Sequence, residues 1–208
     1  MAIPDDYLAT SKPEPLEAVA GRLRDGDLLL CSARDPFSRL IGWATSSPWT
    51  HVALAQRWPE LGRILVFEAV QSLGVRAIPI ERFITESSTG RRPYPGRIVL
   101  ARHDELYRRC DAGGAPLQRL ADFSIGRLGD RFAPGEIVKI GVRILLGRLN
   151  FRLPAAVGPK DEFICSEYVA RCFDAIGIPP PWDGLGFIAP CDFANAPETR
   201  ALAEIKTR

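Results

Sequence analysis

Cys165 and Cys172 stand seven residues apart in FICSEYVARCF, residues 163–173. The spacing predicts a helix over 165–177 with Val169, Cys172, Phe173 and Ile176 on one apolar face and Cys165 one turn earlier on the same face. Gly177 and the prolines 179–181 end it. The plain reading of a thiol on such a face is a small core residue, and Cys172 is assigned that place. Cys165 differs in position, because the unpaired N–H groups and dipole of a first helical turn favour a thiolate. That field contributes only ~0.3–1 kcal/mol, less than one pKa unit, to a thiol that starts near ~8.5. Asp161, Glu162 and Glu167 oppose it. A nucleophilic Cys165 therefore needs a cation, most naturally an imidazolium.

Two histidines can supply one. His103 lies in the polar run RHDEL and is expected on a solvated loop. His51 is set at the start of an apolar strand, THVALAQ, and Glu68 interrupts RILVFEAV in the same way. If the two runs form a hairpin through RWPELG, directly opposed residues share a constant sum of positions. His51 opposite Glu68 gives 119 and centres the turn between Pro59 and Glu60. In that register the two side chains share a face and touch, whereas a one-residue slip would separate them. The expected roles are Cys165 as nucleophile, His51 as general base and Glu68 as the group that orients the imidazole. The Cys165 backbone N–H is one donor for an oxyanion.

Several elements must position these groups. Strands are expected over 26–33, 50–56, 63–70, 74–80 and 96–102, separated by Gly, Pro and Ser punctuation. No helix-period segment interrupts 50–80, so hairpins and an antiparallel sheet are favoured over βαβ units. Helical or mixed spacing follows over 115–128 and 135–147, then the helix at 165–177, then a turn over 188–197. Residues 1–20, with Pro4, Pro13 and Pro15, read as a flexible leader, and 21–208 as a single α+β domain.

Bulk properties narrow the function classes. With 27 basic against 25 acidic residues there is no electrostatic case for nucleic acid. The five cysteines contain no C-x-x-C pair, which argues against a disulfide framework or structural zinc and fits reduced thiols. No apolar run reaches the ~20 residues of a membrane span. Acids occupy the place of a signal peptide's basic region, so a cytoplasmic location is expected. The stretch EIVKIGVRILLGRLNFRL is a candidate for peripheral contact with an anionic lipid surface, although on a continuous helix Arg148 falls opposite Lys139. No cofactor and no metal is expected, since a site of His51, Cys165 and a carboxylate would have few histidines to draw on.

GDLLL, S-x-W-T-H-V-A-L, F-E-A-V, F-I-C-S-E-Y-V and P-C-D-F-A together resemble the circularly permuted papain-like proteins of the NlpC type. Within them the chain is most similar to the YiiX/YaeF-like hydrolases, with lecithin retinol acyltransferase a more distant relative. His51 precedes Cys165, which is the permuted order. The resemblance covers most of residues 24–196. It implies a barrel-like antiparallel sheet packed against helices, with the cysteine on a helix at Cys165 and strand-borne polar partners at His51 and Glu68. It also implies attack on an amide or ester of a cell-wall-type peptide or a lipid. Relatives carry a glycine followed by a Tyr-Asp pair before the helix, but GRLGDRF has Gly129-Asp130 without the aromatic hydroxyl. Tyr168 is a candidate substitute, and Trp43 and Trp49 are candidates for an apolar substrate subsite. The competing class is a non-catalytic lipid- or peptide-binding module of the same shape.

Overall fold

The computed structural model describes residues 2–4, 6–71, 73–86, 92, 94–111, 116–132, 162–181 and 188–207. Its centre is β2 (Asp27–Ala33), where alternation sends Leu28 and Leu30 to one core and Leu29 and Cys31 to another. An apolar run of this kind needs cover on both faces. β2 pairs antiparallel with β3 (His51–Trp58) on one side and with β6 (Gly96–His103) on the other. The sheet continues through β4 (Arg63–Val70) and β5 (Gly74–Pro79) on the first side, and through β9 (Thr199–Ile205) and β1 (Pro13–Glu14) on the second. Among the described residues, β1 and β9 pair in parallel in this sheet and the other pairings are antiparallel. The seven-strand order is linear, ending at β1 and β5, so the expected barrel-like sheet is an open one.

One face is covered by α7 (Cys165–Asp174) together with α5 (Asp104–Asp111), α6 (Pro116–Gly126) and α8 (Pro190–Asn195). α2 (Leu16–Ala20) and α4 (Ile80–Thr85) cover the other. α3 (Pro36–Thr45) joins β2 to β3, and a small parallel pair, β7 (Arg131–Phe132) with β8 (Glu162–Phe163), leads into α7. The segment over 188–197, expected as a turn, contains α8, whose N-terminus Asp192 caps by accepting from the Ala189 N–H at 2.7 Å. The stretch 135–147, and with it the candidate lipid-contact run, lies outside the described residues.

The N-terminal segment departs from the expected leader. Ile3 and Val19 are buried, the Ile3 N–H donates to Ala194 O at 2.9 Å, and α1 (Tyr7–Thr10) precedes β1. Glu204, buried on β9, accepts from Ser11 Oγ at 2.6 Å and from Arg97, which also donates to the Leu8 carbonyl. A buried carboxylate needs such donors, and here the N-terminal segment helps to supply them. That ties it to the domain.

Candidate active site

The first turn of α7 is anchored from outside: Ser166 Oγ donates to the Ile188 carbonyl at 2.6 Å. Cys165 sits there at the mouth of the core, 8% exposed, while Cys172 is fully buried two turns on. α7 packs over β3 and β4, and His51 is the first residue of β3. The chain therefore brings the helix N-terminus to the strand end that carries the imidazole.

His51 and Glu68 meet, with Nε2 to Oε2 at 2.7 Å, but not in the expected register. The hairpin pairs Leu54 with Phe67 and Trp58 with Arg63, a sum of 121 rather than 119. The 3₁₀ turn Pro59–Leu61 and the left-handed Gly62, φ 59°, move the turn centre one residue later. Glu68 is thus offset from His51 by two positions along the strand. An offset of two keeps both on one face, and the diagonal neighbour remains within reach of long side chains.

On the other side of Glu68 stands Arg76, which pairs directly with it across β4 and β5. Arg76 donates through Nε at 2.9 Å and Nη2 at 2.7 Å, both to Oε1. The carboxylate, 2% exposed, gives one oxygen to a guanidinium and the other to an imidazole. The hairpin arithmetic that pointed to His51 also finds Arg76, since 68 and 76 share the sum of every β4–β5 pair. The Phe83 ring from α4 lies 6.4 Å from the His51 ring and closes that flank.

Because Nε2 faces Glu68, Nδ1 is the ring nitrogen left for Cys165, and His51 and Cys165 each favour the other's charged form. Burial by itself would raise the Cys165 thiol, yet the neighbouring imidazolium and the Val52 and Ser166 N–H groups bring it below its ordinary range. Burial would likewise lower His51, but Cys165 and then Glu68 outweigh it and push the imidazole up to about 10. Glu68 is held below its usual value despite burial, by His51 and Arg76. Cys172 goes the other way: burial pushes it up to about 12. Glu167, an acid that opposes a thiolate, is engaged by Arg171 at 2.9 Å.

The expected subsite residues divide. Tyr168 is fully buried and donates its hydroxyl to the Ser124 carbonyl at 3.1 Å, so it belongs to the core and offers no surface to a ligand. Trp49 is also core, 5% exposed. Trp43, on α3, is 58% exposed. His103, expected on a solvated loop, is buried with its ring 5.1 Å from Phe173, because β6 continues through it and α5 begins at the next residue.

No family model and no curated protein matches the chain. Among solved structures it is similar to the protein described as metalloprotein yiiX from Escherichia coli O157:H7, DUF1105, at 18% identity and a TM-score of 0.57. The match covers 86% of this chain and 96% of that one. At this identity the likeness concerns architecture: the chain has a YiiX-like α+β fold, a seven-stranded sheet packed with helices.

Proposed function

We propose that the chain is a cysteine-dependent hydrolase or acyltransferase acting on an amide or ester bond. The observation that carries this reading is the His51–Glu68 pair, an imidazole 2.7 Å from a buried carboxylate, set beside the Cys165 thiol whose thiolate form that imidazole favours. The Cys165 thiolate attacks the carbonyl carbon. The oxyanion is met by the Cys165 backbone N–H, which has no acceptor within the first turn of α7. Collapse breaks the bond to the amine or alcohol, which leaves with the proton from His51 Nδ1. Water, or an acceptor hydroxyl or amine, then gives its proton to His51 and attacks the thioester, and the thiolate is released. Glu68 holds Nε2–H and balances the imidazolium.

The order of His51 before Cys165 supports a permuted papain-like arrangement of the NlpC type, with the lecithin retinol acyltransferases more distant. A cell-wall-type peptide or a lipid or acyl amide is the substrate class. Exposed Trp43, on the helix that leads towards β3, fits an apolar subsite. Among the described residues no helix is long and apolar enough to cross a membrane.

The word metalloprotein attached to the structural neighbour raises a metal as a second reading. The described residues around Glu68 do not fit one. Both Glu68 oxygens are already engaged, one of them by a fixed guanidinium that repels a cation. Among the described residues no group of three His, Cys, Asp or Glu side chains converges to hold an ion.

The test uses iodoacetamide and peptide mapping near neutral pH. Cys165 is expected to alkylate at least on the order of 100-fold faster than Cys172, and His51→Ala to remove most of that advantage. Equal labelling of the two thiols, or an unchanged rate in His51→Ala, would leave the non-catalytic binding module as the better account.

A further inference from the structure

Glu68 faces a problem that the nucleophile and base do not. It is 2% exposed, and the charge on its His51 partner comes and goes during the reaction. When His51 delivers its proton to the leaving group, a carboxylate with no other partner would be a buried, uncompensated anion. Such a group takes up a proton itself and stops balancing the imidazolium. The structure provides a permanent partner. Arg76 stands directly opposite on β5, and both of its donors converge on Oε1, leaving Oε2 entirely to His51.

We propose that Arg76 is a positioning residue of this site: it keeps Glu68 ionised in both protonation states of His51, so that the proton moves between Cys165, His51 and the leaving group and never rests on Glu68. This rests on the reading of Cys165 and His51 as nucleophile and base. With the thiolate–imidazolium pair formed, charges alternate along four side chains and sum to zero. With the pair discharged, Glu68 and Arg76 still balance each other. The other titratable groups near Glu68 do not carry charge for it: Cys31 on β2 and Tyr94, just before β6, are both held neutral by burial. Phe83, from α4, is apolar.

A salt bridge that only braced the β4–β5 hairpin would affect melting but not the protonation of the site. The distinguishing measurement is the rate of Cys165 alkylation by iodoacetamide along the acid limb of its pH profile. In Arg76→Gln, Glu68 takes up its proton at higher pH and the imidazolium loses its balance. The limb is expected to move up by about one pH unit, about tenfold in rate at a fixed pH on the limb. Arg76→Lys, which keeps the charge, is expected to return most of the shift. A Gln profile superimposable on the wild type overturns the inference, and so does a Lys profile that matches Gln. Should Arg76→Gln fail to fold, the wild-type protein provides the test. The ¹³C carboxyl resonance of Glu68, assigned by its loss in Glu68→Gln, is expected to remain at its ionised position through the limb, and titration along the limb overturns the proposal. If wild-type Cys165 labels no faster than Cys172, it is the reading of the site that fails, and the alkylation readout makes that distinct.

Discussion

Asp27 on β2 and Glu68 on β4 are both buried acids that meet an arginine from the neighbouring strand, Arg102 on β6 and Arg76 on β5. Asp27 is saturated. Arg102 donates to both of its oxygens at 2.8 Å, the Arg24 N–H adds a third bond at 2.8 Å, and Tyr107 packs against the guanidinium at 4.9 Å. Every donor there is fixed in charge over the accessible pH range. Glu68 receives its arginine on one oxygen only and gives the other to a ring that can gain or lose a proton. The same pairing of residue types therefore serves as a structural clamp in one place and as a proton-balancing element in the other. What separates them is which lone pairs remain for a group that titrates, not how deeply the acid is buried.

Stability should break that comparison open first. Arg102→Met leaves Asp27 buried and uncompensated, an expected loss of about 3–5 kcal/mol in denaturant unfolding, while the pH profile of Cys165 alkylation in the folded fraction stays where it is. A profile that moved with Arg102 would mean that the two carboxylates are not separate devices. Glu68→Gln should show the opposite balance. The amide keeps the shape and an acceptor for Arg76, so the expected loss is smaller, about 1–3 kcal/mol. Cys165 alkylation at a fixed pH on the acid limb should slow about tenfold, as the imidazolium loses its anion.

The smallest effect concerns the two histidines. Burial holds His103 below its ordinary value of about 6.5, so the unfolded chain binds the proton more readily. Its contribution to stability is complete above that value and is lost as pH falls through the lower folded value. His51 is raised to about 10, so its contribution is present below about 6.5 and is lost as pH rises through the folded value. Melting temperature is therefore expected to decline on mild acidification in the wild type and to decline less in His103→Phe, which keeps the contact with Phe173. Equal declines would show that His103 is not the acid-sensitive one of the two.

The strands around the site were legible because each is an apolar run bounded by turn residues, and β4 begins and ends where its run does. The parity of the β3–β4 pairing was legible too, since only an even offset keeps two interrupting polar residues on the same face. The offset itself was not, because it depends on how Pro59–Leu61 coil and on the left-handed Gly62. β9 was missed for another reason. TRALAEI is rich in helix formers, and it becomes a strand because β6 and β1 offer it pairing on both edges. The prolines that made the N-terminal segment look loose are compatible with its place, since Pro13 lies on the sheet edge, where a missing N–H costs little. His103 looked solvated because its neighbours in sequence are polar, but those neighbours begin α5 and turn away while the ring stays under Phe173.

Gly74 opens β5 two residues before Arg76, with φ at 76° and the Asp130 carbonyl oxygen 2.2 Å from where a β-carbon would stand. The Val75 N–H donates to that same carbonyl at 2.8 Å, so the start of β5 is seated against residues 129–130. A methyl group at position 74 would have to lift the strand off this seat or push the loop away, and the guanidinium travels with the strand. An alanine there carries no charge and touches none of the reacting atoms, yet in genetic terms it would be an allele of Arg76: a change in where a cation stands, written at a position that has no side chain.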